Sequence, residues 1–167
     1  MPLRRTIAAA CAAACVVTVA GCGFELKRAP ELRFGTVQLS GFRPRSALAE
    51  ELRVSINLSK STQVVESVSQ AQVVFEALNE AREKSVVAST AAGQVREMQL
   101  RTRLSFRLHT VAGKELIPAT EIVLNRDMSY SESAALAKEH EELLLYRAMQ
   151  SDIVAQVMRR LASVQAL

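Results

Sequence analysis

Between Val95 and Thr110 apolar and polar side chains alternate. Met98, Leu100, Leu104, Phe106 and Leu108 share one parity, and Gln99, Arg101, Arg103, Ser105, Arg107 and His109 the other. Successive strand side chains point to opposite faces, so this period predicts one long, half-buried strand. Phe34 to Ser40 alternates and is rich in β-formers, and it predicts a first strand. Gly41 to Arg45 turns the chain. Ser46 stands at an N-cap position with Glu50 and Glu51 in the early turns. Leu48, Leu52 and Ile56 recur at i+4, so a helix should run to about Leu58. Val64-Val65 fits a short strand. A longer strand begins near Ala71 with Gln-Val-Val-Phe, apolar on both faces as an interior strand is. Ser85 to Gly93 reads as a loop without charge, and an uncharged loop hints at a contact surface. Ala112-Gly113-Lys114 is a turn, and Glu121 to Tyr130 predicts the last strand.

From Ser131 to Leu167 no proline or glycine intervenes. Leu136, Leu143, Tyr146, Met149, Ile153, Val157 and Leu161 form a stripe at mainly +3 and +4 spacing, with a break around His140. This is the longest helix, and one face should cover the sheet. Helix, successive strands and a closing helix predict an α+β two-layer sandwich. Its sheet has about four mostly antiparallel strands, covered on one face by two helices.

The opposite face is then free, and Arg101, Arg103 and Arg107 project from it as a row. Two readings stand. The row pairs across strands with carboxylates, for which Glu76 and Glu80 have the right parity. Or the guanidinium groups collect phosphates or sugar carboxylates by bidentate contacts.

The N-terminus changes the picture of where the domain works. Arg4 and Arg5 precede an apolar run from Ile7 to Ala20, too short for a stop-transfer span. It ends in Val19-Ala20-Gly21-Cys22. Small residues directly before a cysteine resemble a bacterial lipobox, in which Cys22 receives the acyl chains and becomes the first residue. One chain alone gives marginal membrane binding, whereas several chains on one residue hold a protein stably. Gly23 rather than Asp follows the cysteine, which by the sorting rule implies the periplasmic side of an outer membrane. Residues 1–21 are then a removed signal, 22–33 a lipidated tether and 34–167 one domain.

Composition mainly excludes. Cys11 and Cys15 leave with the signal and Cys22 is acylated, so no thiol remains for a disulfide, metal or nucleophile. Without Arg4 and Arg5, 19 of the 21 basic side chains face 17 acidic ones, too mild a balance for nucleic acid. Tryptophan is absent and aromatics are 4%, so there is no stacking platform for bases. His140-Glu141 begins like a zinc-protease motif, but Leu144 stands where the second histidine must be. No phosphate loop or serine or cysteine triad setting accompanies His109 or His140. No catalysis, metal or cofactor is expected.

Three stretches together resemble the LptE family of lipopolysaccharide-assembly lipoproteins. They are Cys22-Gly23-Phe24-Glu25-Leu26-Lys27; Gly93-Gln94-Val95-Arg96-Glu97-Met98-Gln99-Leu100; and Leu136-Ala137-Lys138-Glu139-His140-Glu141, running on through Leu143 to Asp152 and ending at Arg159-Arg160-Leu161. The resemblance implies a plug and assembly partner of the outer-membrane barrel LptD that binds lipopolysaccharide. Lys138 matches a lysine implicated in lipopolysaccharide contact, and Arg101, Arg103 and Arg107 are further candidates for an anionic ligand. The family's aromatic-arginine pair in the loop before Gly93 is replaced here by Thr90-Ala91. The alternative from another class is a pilot lipoprotein of a different outer-membrane complex, with no ligand of its own.

Overall fold

The computed structural model describes residues 30–165. The signal segment, Cys22 and most of the tether lie outside the described residues. In chain order the elements are β1 (Thr36–Ser40), α1 (Ala47–Asn57), β2 (Gln63–Val65), β3 (Val73–Ser89), β4 (Val95–Thr110), β5 (Glu115–Ser129) and α2 (Ala135–Ala162). The five strands form one sheet in the order β2-β1-β3-β4-β5. Two helices pack on it, so the α+β sandwich is as expected with one more strand than about four. The additional strand is the Val64-Val65 segment, which pairs with β1 instead of standing alone.

β3, β4 and β5 are antiparallel, as short hairpins require. β1 is parallel to both neighbours, because α1 carries the chain back before β2. The Ser46 side chain accepts from the Ala49 N–H at 3.1 Å and caps α1. Leu48, Leu52 and Ile56 are buried, as their spacing predicted.

Two expectations fail at strand ends. Ser85 to Ser89 is not loop but the last turnless stretch of β3, paired to Gln99–Val95. Its valines are good strand formers, and only Thr90–Gln94 makes the hairpin tip. β5 begins at Glu115, not Glu121, and tolerates Pro118 because it is an edge strand. The closing helix starts at Ala135, after a 3-10 turn at Glu132–Ala134.

Gly41 explains how the chain leaves β1. Its φ is +77°, and a Cβ there would stand 2.1 Å from the Ala77 carbonyl oxygen. Only glycine permits this approach. Ala77 is also where β3 bulges: the register with β4 shifts between Ala77 and Asn79. Beyond the bulge Glu80, Arg82 and Lys84 lie opposite Leu104, Thr102 and Leu100, and so face the helix layer.

The core is therefore uneven. The main cluster gathers Phe34, Val37, Leu52, Ile56, Phe75, Phe106, Ile153 and Leu161 with their neighbours, and Phe75 stacks on Phe106 at 4.9 Å. Leu32, placed in the tether by the sequence, belongs to it as well. The second cluster holds only Leu100, Met128, Tyr146 and Met149. α2 buries the predicted stripe from Tyr146 to Leu161, but Leu136 and Leu143 are 83% and 54% exposed. They lie before the level at which α1 joins the helix layer, where Gln150 reaches Ala47 and Glu51.

Candidate functional site

The open face of the sheet carries the arginine row. Arg107 donates from Nε to Glu76 Oε2 at 2.7 Å, and its Nη2 lies 2.6 Å from the same oxygen. Arg101 and Arg103 each stand 3.8 Å from Glu83, and Arg103 is 3.7 Å from Glu121. Arg101 also donates to Asn125 at 3.1 Å. Three cations thus alternate with three carboxylates. Glu76 is the partner its parity indicated. Glu80 is not, because the bulge turns it to the helix side, where it accepts from Ser46 at 3.0 Å. Glu83 takes its place. An anionic ligand must displace Glu76 from Arg107, whereas Arg101 and Arg103 meet their carboxylates only at 3.7–3.8 Å, beyond hydrogen-bond length.

Lys138 is one turn into α2. Its ammonium donates to Glu141 at 2.7 Å and to Ser129 at the end of β5 at 3.0 Å, and only 18% of the side chain is exposed. Lys84 makes the corresponding tie on the other flank, donating to Glu142 at 2.8 Å. The hydrogen bond from Lys84 to Glu142 raises the lysine pKa. Beside Lys84, burial raises the Tyr146 pKa, and the phenol donates to the Glu83 carbonyl at 2.8 Å.

A cleft of about 240 Å³ opens where the hairpin meets the start of α2, lined by Gln94, Val95, Arg96, Ser131, Glu132 and Ser133. Gln94, Val95 and Arg96 lie in one of the stretches that carry the family resemblance, but nothing in the sequence joins them to Ser131, Glu132 and Ser133, which begin 35 positions beyond Arg96. A smaller one of about 180 Å³, at the opposite end, is lined by Arg107, His109, Gly113 and Glu115. Among the described residues no group of three or more His, Cys, Asp or Glu side chains could hold a metal ion. Among them, too, no helix is long and apolar enough to cross a membrane. Hydroxyls, amides and paired charges can bind a polar head group.

Comparison with known proteins decides the family. A family model described as LptE, lipopolysaccharide-assembly, matches residues 34–161. The chain belongs to the LptE family. Its role therefore lies in lipopolysaccharide assembly. The solution structure of an uncharacterized lipoprotein B from Nitrosomonas europaea is 29% identical, with a TM-score of 0.71; the match covers 84% of this chain and 91% of that one. The rare lipoprotein B from Shewanella oneidensis is 23% identical with a TM-score of 0.65, covering 77% and 95%. A minor lipoprotein from Acinetobacter baumannii has the same fold at 16% identity and a TM-score of 0.64, covering 79% and 93%. Among curated protein sequences nothing matches.

Proposed function

We propose that this LptE-family chain is a lipid-anchored, non-enzymatic outer-membrane subunit that plugs and helps assemble an LptD-type barrel and contacts lipopolysaccharide during its delivery. The observation that carries this reading is the family match, which runs from the first strand through the hairpin to the end of α2. Lipidation at Cys22 places the domain on the periplasmic side of the outer membrane. Lys138 contacts an anionic head group by exchanging Glu141 for a phosphate, an exchange of one charge-assisted bond for another.

The pairing of Arg101, Arg103 and Arg107 favours a narrower version, in which the row holds the sheet and the ligand meets only the end near Lys138. The second reading, an assembly lipoprotein without a ligand, draws on the same pairing extended to Lys138.

The test is affinity purification of the lipidated protein from outer membranes. Under the proposal a large β-barrel is recovered in equal amount together with lipopolysaccharide. Lys138→Glu lowers the retained lipopolysaccharide several-fold while the barrel stays. Recovery of a different outer-membrane complex, or of the barrel with no lipopolysaccharide, sinks the ligand-binding reading. Conversion of Arg101, Arg103 and Arg107 to glutamate separates the two versions: the narrow one requires that retention not change.

A further inference from the structure

The sheet has an unfinished edge. β1 pairs with β3 only from Val73 to Glu76, so on the side away from β4 the stretch from Ala77 to Ser89 has no strand beside it among the described residues. At about 3.3 Å per residue this is roughly 40 Å of free edge. Its first part is blunted. Glu80, Arg82, Glu83 and Lys84 put charges along it, Arg82 lies over the Tyr146 ring at 5.4 Å, and Tyr146 occupies the Glu83 carbonyl. The last part, Ser85-Val86-Val87-Ala88-Ser89, has no such side-chain cover, and its one restraint is irregularity: the register with β4 shifts between Val86 and Ala88 and between Ala88 and Ser89. It carries no charge and no proline, and Val86 and Val87 are 53% and 48% exposed. Leu136 and Leu143 add apolar surface to the same end of the molecule, on the flank of α2 from which α1 is missing.

The sheet's other edges are managed. β2 is three residues long. β5 carries Pro118 and the charges Glu115, Glu121, Arg126 and Asp127, and Arg126 bridges to Asp152 on α2 at 3.3 Å. Proteins blunt free edges with charge, proline, bulges or brevity because an open row of N–H and C=O groups pairs with any extended chain. A bare, uncharged, valine-containing edge is sustained when a strand covers it.

We infer that the free edge of β3 at Ser85–Ser89 is the docking surface of the barrel partner, which adds an extended, uncharged segment to the sheet there. The inference rests on the reading of the chain as a barrel's lipoprotein and names the surface that meets it. The main-chain edge specifies an extended complement, and the absence of charge specifies one without acidic or basic side chains. Main-chain bonds supply the attachment, and Val86, Val87, Leu136 and Leu143 supply apolar contact.

Hydrogen exchange read by mass spectrometry tests it, on the full lipoprotein alone and on its complex purified from outer membranes. Alone, the peptide covering Ser85–Ser89 holds a fast class of amides, those facing away from β4. In the complex that class slows at least tenfold. A barrel complex in which the class stays within twofold of the free protein overturns the inference and leaves the proposed function standing. Recovery of no barrel overturns both. Slowing in the lipoprotein alone as its concentration rises assigns the edge to a second copy. Slowing on addition of lipopolysaccharide alone assigns it to ligand, and either outcome overturns the inference. As a second handle, Val87→Lys reduces the barrel recovered at least fivefold, whereas Val123→Lys on the β5 edge does not. Equal effects of the two, with unfolding unchanged, count against the edge.

Discussion

The two ends of this molecule are built from the same sheet and are not equally covered. At one end β1, β2 and α1 join β3, β4 and the C-terminal half of α2, and Phe75, Phe106, Leu52 and Ile153 are fully buried among them. At the other end only β3, β4, β5 and the start of α2 remain. Four residues form the core there, and the helix-facing side of β3 supplies Glu80, Arg82 and Lys84 in place of apolar groups. One bulge at Ala77–Asn79 separates the two regimes. The lesson is a division of burial: the first end holds the fold, while the second is left open. Local opening free energies follow apolar burial, so the second end should open first.

The largest effects belong to the covered end. Phe106→Ala removes a fully buried ring that stacks on Phe75, and it should destabilise by about 3–5 kcal/mol in urea unfolding. Met149→Ala should cost about 2 kcal/mol, because the fully buried methionine shares its cluster with only three other buried side chains, Leu100, Met128 and Tyr146. Equal losses at the two positions would erase the division. Gly41→Ala falls between them. Left-handed backbone and the clash with the Ala77 carbonyl should cost about 3 kcal/mol, seen as a lowered urea midpoint at unchanged slope.

This division was only half legible in the sequence. Period-two alternation gave β4 its faces from Met98 to Leu108, since one parity must be dry when helices cover one side. The i+4 stripe and Ser46 gave α1. Neither signal reports a bulge. Two residues opposing one is a pairing property, and with β3 read in strict alternation Glu80 was assigned to the arginines that Glu83 in fact meets. The stripe on α2 likewise ran back to Leu143 and Leu136, because spacing shows which residues share a side but not how far the covering helix extends. Of the candidate site, Lys138 was visible through family resemblance. Its ties to Glu141 and Ser129 required the tertiary fold, as did the cleft beside Arg96. Small residues from Ser85 to Ser89 suggest a loop, and only the pairing with β4 shows that the segment is strand.

Charge on the open face should matter less than burial at either end. Arg107→Glu sets two carboxylates against each other across β3 and β4. With side chains 45% and 31% exposed, the expected cost is about 1 kcal/mol, shrinking in high salt. Arg101→Ala and Arg103→Ala should change stability by about 0.5 kcal/mol or less, since their contacts to carboxylates are long and partly exposed. A loss above about 2 kcal/mol at Arg103, measured by urea unfolding, would make the row part of the core architecture rather than a solvated lattice.

The smallest expected effect is a pH dependence confined to the open end. Lys84 is raised above its ordinary value by its hydrogen bond to Glu142, and Tyr146 is raised by burial. Raised groups hold their protons more tightly when folded, so the unfolded chain loses them first as pH climbs. Their contribution is complete below the ordinary values and falls as pH passes about 10 and rises through the folded ones. The urea midpoint should therefore decline between about pH 9.5 and 11. Lys84→Met should flatten part of that decline without changing the midpoint much at pH 7, because the Lys84 side chain is nearly half exposed and solvent screens its bond. Tyr146→Phe should flatten another part, and at pH 7 it should also speed exchange near Glu83, whose carbonyl loses its cap. If the decline persists unchanged in the double variant, titration at this flank is not what loosens the open end.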